Sequence, residues 1–165
     1  MKKIVAFLLV ACMALPFSGC AEMAGSETKM LQIAVKEAGV PKELDAQLIG
    51  VIETESAALA CVMTGNEHQS HSYHAAEFVR DGSGYRFIHV GAMWDRGVDM
   101  CSFLWGGGHV FVSNNPRSKT LSLKFPDGRL ELVDIDSLPF IYALEGDESG
   151  FEYFFLDESG QAISY

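Results

Sequence analysis

From residue 77 onward, apolar residues recur at every second position, and this period limits the possible folds more than any other feature of the chain. Residues 120–125 alternate cleanly, a Pro-Asp-Gly turn follows at 126–128, and Leu130 and Leu132 continue the pattern on the way back. Alternation on both sides of a tight turn is typical of a β-hairpin. Short strands joined by turns, without helices between them, predict an antiparallel sheet. Further segments that read as strands are 85–90, 109–112, 140–144, 151–155 and 162–165.

The region before these strands has the period of helices. Apolar residues between 31 and 38 recur at i, i+3, i+4 and i+7, which is one face of a helix, and Gly39 ends the pattern. Pro41 opens a second apolar stripe that runs from Leu44 to Ile52. Residues 57–63 fit either a continuation of this helix or the first strand. The predicted fold class is therefore α+β, with two N-terminal helices followed by an antiparallel sandwich or open barrel.

The first twenty residues have the features of an export signal. Two lysines precede an unbroken apolar run at 4–15, which is shorter than the about twenty residues that a membrane-spanning helix needs. The following Phe-Ser-Gly-Cys at 17–20 resembles the lipobox of bacterial lipoproteins, although that class prefers Leu where Phe17 stands. The resemblance implies cleavage before Cys20 and acylation of Cys20. Two or more acyl chains would anchor the protein stably in a lipid bilayer.

This resemblance covers only residues 1–20 and divides the chain into three parts. The predicted parts are a signal peptide at 1–19, a small polar tether at 20–28 and a single α+β domain at 29–165. The implied location is the bacterial cell envelope. Ala21, rather than Asp, follows the cysteine, which resembles outer-membrane sorting and predicts a domain that faces the periplasm. Ordinary secretion, with Cys20 as a stray thiol, is the alternative.

The charge of the chain limits its partners. After cleavage, ten Lys and Arg stand against 22 Asp and Glu, a net charge of about −12, and no basic residue follows Arg129. A nucleic-acid partner is excluded, because phosphate binding needs a basic face. An acidic surface could attract a basic protein, by analogy a cationic wall hydrolase. The alternative is that the charge only keeps an exported domain soluble.

Cys61 and Cys101 are the cysteines that remain after Cys12 leaves with the signal peptide and Cys20 is acylated. An even number of cysteines in an oxidising compartment predicts a disulfide. The bridge would close a loop of about 40 residues and stabilise the domain by roughly 4 kcal/mol. The alternative makes one thiol a nucleophile beside a histidine.

The segment NEHQSHSYHAAE, residues 66–77, contains three histidines at a constant spacing of three. Histidine-rich tracts are a recognised sign of metal binding, and zinc or copper needs three or four converging ligands. A helix or a strand would hold His68, His71 and His74 too far apart for one ion. Only an irregular loop, with Glu77 as an added oxygen ligand, could gather them. The alternative is a solvated polar loop without a metal.

The segment 92–108 has the most unusual composition of the chain, because tryptophan, phenylalanine and methionine surround a cysteine. Trp94, Phe103 and Trp105 could form a binding patch, since aromatic side chains are favoured at interfaces. They are equally normal in a protein core. Neither a GxSxG elbow nor a phosphate-binding loop is present in the sequence.

Together these patterns predict an envelope-anchored, non-enzymatic binding or accessory module without a required cofactor. The first alternative is zinc or copper binding through His68, His71 and His74. The second is an enzyme, which would need a cleft that gathers a histidine with an acid or with a reactive thiol.

Overall fold

A computed structural model describes residues 22–65, 71–91, 94–106, 108–146 and 149–163. For residues 94–96 it describes the backbone alone. The tether cysteine Cys20 and the whole of the predicted signal peptide lie outside the described residues. Within the described ranges, no helix is both long and apolar enough to cross a membrane.

One helix, α1, spans Glu27–Glu37 and confirms the first of the two predicted helices. It begins at Ser26, whose side chain accepts a hydrogen bond from the Lys29 backbone N–H at 3.3 Å. Its buried side chains are Met30, Ile33 and Ala34, which lie on one face. Of the predicted apolar stripe, Ala34 is buried and Leu31 and Val35 are half-buried against the same cluster, so the inward face is shifted by one residue from the predicted one.

In the described part of the chain, twelve strands form three sheets in which every paired strand is antiparallel. The strands of the first sheet are β1 (Met23–Ala24), β2 (Ala46–Glu53), β3 (Ala57–Thr64), β4 (Ser72–Asp81) and β5 (Gly84–Gly91), in the order β1-β5-β4-β3-β2. Those of the second sheet are β6 (Trp94–Gly97), β7 (Met100–Trp105), β8 (Gly108–Ser113) and β11 (Phe140–Glu145), in the order β11-β8-β7-β6. The third sheet contains β9 (Thr120–Lys124), β10 (Leu130–Asp134) and β12 (Glu152–Leu156), in the order β10-β9-β12.

Three apolar clusters hold these elements together as layers. The first cluster joins α1 to one face of the first sheet, through side chains such as Ile33 and Phe78. The second joins the other face of that sheet to the second sheet, and the third joins the second sheet to the third. The second sheet therefore has apolar contacts on both faces, with Val110 on one side and Phe111 on the other. All three clusters lie within residues 24–163.

The third sheet has a buried face and an uncovered one. Its alternation matches the prediction for the hairpin of β9 and β10, and Leu121, Leu123 and Phe125 are buried together. Within the described part of the chain, no cluster covers the opposite face. The predicted antiparallel architecture is confirmed, and the protein is mostly β with one short helix.

The second predicted helix is wrong, because residues 46–53 form strand β2. The β2 strand pairs with β3, and a register shift between Leu48 and Gly50 sends apolar side chains to both faces of the sheet. Leu48 and Val51 join the cluster beneath α1, while Ile49 and Ile52 join the cluster on the other side. A strand that is apolar on both faces loses the two-residue period, so it resembles a buried helix in the sequence.

The predicted disulfide is also not found, because Cys61 and Cys101 are present as thiols. Both are buried in the cluster between the first and second sheets, where cysteine packs as a small apolar side chain. Burial, together with the nearby Cys101 thiol, raises the pKa of the Cys61 thiol. Disulfide exchange requires a thiolate, so this environment disfavours the reaction that would form the bridge. The even number of cysteines could not reveal this environment.

Candidate functional site

The uncovered face of the third sheet, here called the outer face, exposes three large apolar side chains. Leu130 is 59% exposed, Leu132 is 58% exposed and Phe154 is 47% exposed. Ser122 pairs with Leu132 on one side and with Phe154 on the other, so the two apolar side chains flank the serine in one row across the sheet. Ser122 is itself buried, because its two neighbours cover it. The outer face is thus a continuous apolar surface open to solvent.

The outer face carries few charged groups, which lie around its apolar row. Lys124 pairs with Leu130 on one side and with Glu152 on the other, and its Nζ lies 3.8 Å from Glu152 Oε2. Both of these side chains are about two-thirds exposed, and such surface pairs contribute little to stability. The β10 and β12 strands come from the part of the chain after Arg129, which contains nine acidic residues and no Lys or Arg. The region that supplies two of the three strands is therefore strongly acidic.

A groove runs along β12 beside the outer face and has a volume of about 370 Å³. Two of its residues, Glu152 and Phe154, belong to the outer face as well, so the groove and the face form one continuous surface. The second sheet supplies Ser102 and His109 from β7 and β8. The residues that line the groove are Ser102, His109, Gly150, Phe151, Glu152, Tyr153 and Phe154.

Packing of aromatic rings fixes the floor of this groove. The ring centroids of His109 and Phe151 lie 4.6 Å apart in an edge-to-face arrangement, and those of Phe111 and Tyr153 lie 4.7 Å apart. The Tyr153 hydroxyl is also within hydrogen-bonding distance of the Ser102 hydroxyl. Contacts from β7 and β8 therefore hold β12 against the second sheet.

Two of the histidines predicted to bind a metal have separate partners. His71 Nδ1 donates a hydrogen bond to Asp99 Oδ1 at 2.9 Å, and the Tyr73 hydroxyl donates to the same oxygen at 3.0 Å. His74 is three residues further along an extended chain, so it leaves the opposite face of the strand, and its Nε2 lies 3.4 Å from Thr64 Oγ1. Burial lowers the pKa of His74, which favours its neutral form.

The other predicted metal ligands are not brought to the same place. Glu77 lies six residues beyond His71 along β4, roughly 20 Å away, and its carboxylate lies 3.9 Å from His89 Nε2 instead. His68 is outside the described residues. Among the residues that the structure describes, no group of three or more His, Cys, Asp or Glu side chains is arranged to hold a metal ion. Metal binding by this segment stays a prediction.

The contact between His71 and Asp99 lies in a strained turn. Asp99 has a φ of 58°, and it is the one non-glycine residue in the described ranges with a positive φ. Its backbone C=O accepts a hydrogen bond from Asn114 N–H at 2.8 Å, and the Asn115 side chain donates to Val98 O at 2.8 Å. These bonds fix the turn between β6 and β7, and so hold the Asp99 carboxylate beside His71.

Two of the three residues of the predicted aromatic patch are buried. Phe103 and Trp105 are buried in the cluster between the first and second sheets, and the side chain of Trp94 lies outside the described part of the chain. Phe103 and Trp105 thus have core positions, which were the alternative to a binding patch. Trp105 Nε1 is buried and has no hydrogen-bond partner among the residues that the structure describes.

The sequence did not predict that Leu130 and Leu132 form an exposed apolar surface. Leu130 and Leu132 follow the same alternation as the buried residues of β9, and the pattern alone does not say which face is covered. Leu130 pairs with Lys124 and Leu132 pairs with Ser122, and this register identifies the outer face. The polar residues at these two partner positions were the signal in the sequence that this face is exposed.

Comparisons with models of protein families, with curated proteins and with solved structures found no match for this chain.

Proposed function

We propose that this chain is an envelope lipoprotein whose β domain binds a basic protein partner through the outer face of the third sheet. The observation that carries the proposal is the exposure of Leu130, Leu132 and Phe154. All three lie on strands from the acidic end of the chain. Exposed apolar side chains with a polar rim are typical of binding surfaces. The acidic composition of the segment after Arg129 would favour basic partners and speed their association.

The proposed anchor rests on the resemblance of residues 1–20 to a lipoprotein signal, with Cys20 as the acylated residue. An anchored binding module needs no catalytic group of its own, since it acts by holding its partner at the bilayer. Fatty-acid labelling of the wild-type protein, compared with the Cys20→Ser variant, tests the anchor.

Leu132→Ser tests the binding surface. The probe is a short synthetic peptide of alternating leucine and lysine, titrated by calorimetry against the unacylated chain that begins at Ala21. Covering the exposed part of one leucine is worth about 1.4 kcal/mol, so we expect the variant to bind about tenfold more weakly. Ile88→Ser is the matched control, because Ile88 is a comparably exposed apolar residue on the first sheet. It should bind as the wild type does.

Equal weakening by Ile88→Ser and Leu132→Ser would contradict the proposal, because it would mean that the peptide has no preferred surface. Unchanged binding by Leu132→Ser would contradict it as well. The serine keeps the net charge constant, so a loss of affinity reports the apolar contact alone.

A second function, zinc or copper binding at His71, is supported by one observation. Metal-bound histidines commonly donate their other ring nitrogen to a carboxylate, which fixes the orientation of the imidazole. Asp99 accepts such a bond from His71 Nδ1, which leaves Nε2 as the nitrogen available to a metal. Further ligands would have to come from outside this pair.

Elemental analysis after gel filtration tests this second function. If it is correct, the wild-type protein should retain near one equivalent of zinc or copper, and His71→Ala should lose it. Asp99→Asn should weaken binding by about 10- to 100-fold, because the charged acceptor that orients the His71 imidazole is lost. His89→Ala is the control and should retain the metal. A wild-type protein without retained metal would exclude the site.

A further inference from the structure

The groove along β12 has the chemistry of a site for a positively charged side chain. Three of its lining residues are aromatic, namely Phe151, Tyr153 and Phe154. The faces of aromatic rings attract cations. The groove also contains the carboxylate of Glu152, and its lining includes neither Lys nor Arg. His109 also lines the groove, where its ring packs edge-to-face on Phe151. An anion would meet the Glu152 carboxylate there, whereas a cation would meet complementary charge.

A nearby contact shows that this sheet already binds a guanidinium on an aromatic ring. The Cζ atom of Arg129 lies over the ring of Phe125, 3.5 Å from its centroid. The rings of Phe125 and Phe151 are 5.9 Å apart, so this stacked arginine is one ring away from the groove. A planar cation can therefore stack on the aromatic rings of this region.

The polar groups of the groove suit a planar donor. The hydroxyl groups of Ser102 and Tyr153 contact each other at its wall, and oxygen atoms of this kind can accept hydrogen bonds. Glu152 Oε2 contacts Lys124 Nζ at 3.8 Å, but both side chains are exposed and the pair is weak. An arriving guanidinium could take the place of Lys124 at the carboxylate, where it would form two parallel hydrogen bonds.

We propose that this groove receives an arginine side chain of the basic partner, with its guanidinium paired to Glu152 and stacked among the three aromatic rings. The inference rests on the proposed function and deepens it. The outer face would contribute apolar contact area, while the groove would select the cation. The two share Phe154 and Glu152, so one extended segment of a partner could occupy both.

The probe for this site is Nα-acetyl-L-arginine amide. It is titrated into the acylated protein in neutral detergent micelles, and binding is followed by NMR. Nα-acetyl-L-citrulline amide has nearly the same shape without the charge and is the control ligand. We expect saturable shifts of the Phe151, Tyr153 and Phe154 ring signals with the arginine amide alone. Glu152→Gln should weaken binding at least tenfold. Glu158→Gln removes an exposed carboxylate outside the groove and should have no effect.

The outcomes separate this inference from the proposed function. Equal binding of the arginine and citrulline amides, or unchanged binding by Glu152→Gln, would overturn the arginine site even if Leu132→Ser weakens peptide binding. Arginine-selective shifts that disappear in Glu152→Gln would support the groove even if Leu132→Ser leaves peptide binding unchanged. Glu152 is exposed, so its substitution should not disturb folding, and the unfolding midpoint of the variant checks this.

Discussion

Gly108→Ala should destabilise the protein by roughly 3 kcal/mol or more, because a side chain at this position would collide with the backbone of the neighbouring strand. A Cβ atom on Gly108 would lie 2.1 Å from the carbonyl oxygen of Leu144 and 3.2 Å from Glu145 Cα. Gly108 also has a φ of 138°, which disfavours any residue with a side chain. The β8 and β11 strands would have to separate at the pair of Gly108 and Glu145.

Thermal unfolding measures this effect, and Gly128→Ala is the matched control. Gly128 has a φ of 88°, but a Cβ atom there would meet nothing within 4 Å. Its substitution should therefore cost only the backbone term of about 1–2 kcal/mol. For a domain of this size, a difference of about 2 kcal/mol between the variants corresponds to roughly 4–8 °C in Tm. Equal Tm values for the two variants would contradict the close contact between β8 and β11.

Phe111→Ala should cost about 3–5 kcal/mol in the free energy of unfolding, the usual range for a buried phenylalanine. Phe111 has no solvent exposure, and its ring lies 4.7 Å from Tyr153 and 6.0 Å from Phe151, centroid to centroid. It is the aromatic centre of the cluster that joins the second sheet to the third. Its loss would leave a cavity beneath the strand that supports the groove.

Urea unfolding tests this prediction, with Phe154→Ala as the matched control. The same substitution at Phe154 removes a half-exposed ring from the outer face, so it should cost less than about 1 kcal/mol. If Phe111→Ala costs no more than Phe154→Ala, the third sheet does not pack on the second as described. In that case the face of the third sheet opposite the outer face would also be exposed to solvent.

The strands that were predicted best from the sequence are those with one face buried and the other exposed to solvent. The hairpin of β9 and β10 alternates because its inner residues join the third cluster while Lys124 and Leu130 face solvent. The sequence of β2 predicts a helix, because both faces of this strand are covered and its apolar residues do not alternate. Whether another layer packs on a face of a strand depends on the tertiary structure. The period of apolar residues in the local sequence does not predict it.

The proposed binding surface was harder to predict than the fold. The acidic end of the chain was visible as composition, and it led directly to a basic partner as a hypothesis. The exposure of Leu132 depends on its register with Ser122, and the contact of His71 with Asp99 joins residues 28 positions apart. Neither relation has a local signature. The histidine spacing predicted a shared metal site, but strand geometry sends His71 and His74 to opposite faces.

The central claim, recognition of a basic partner by the outer face, is tested most directly by the salt dependence of peptide binding. The unacylated wild-type chain is titrated with the leucine–lysine peptide at about 50 and about 500 mM salt, where the Debye length falls from about 14 to about 4 Å. We expect saturable binding that weakens at least tenfold at high salt, and no binding of the matching leucine–glutamate peptide. Binding that is insensitive to salt, or equal affinity for both peptides, would contradict the claim.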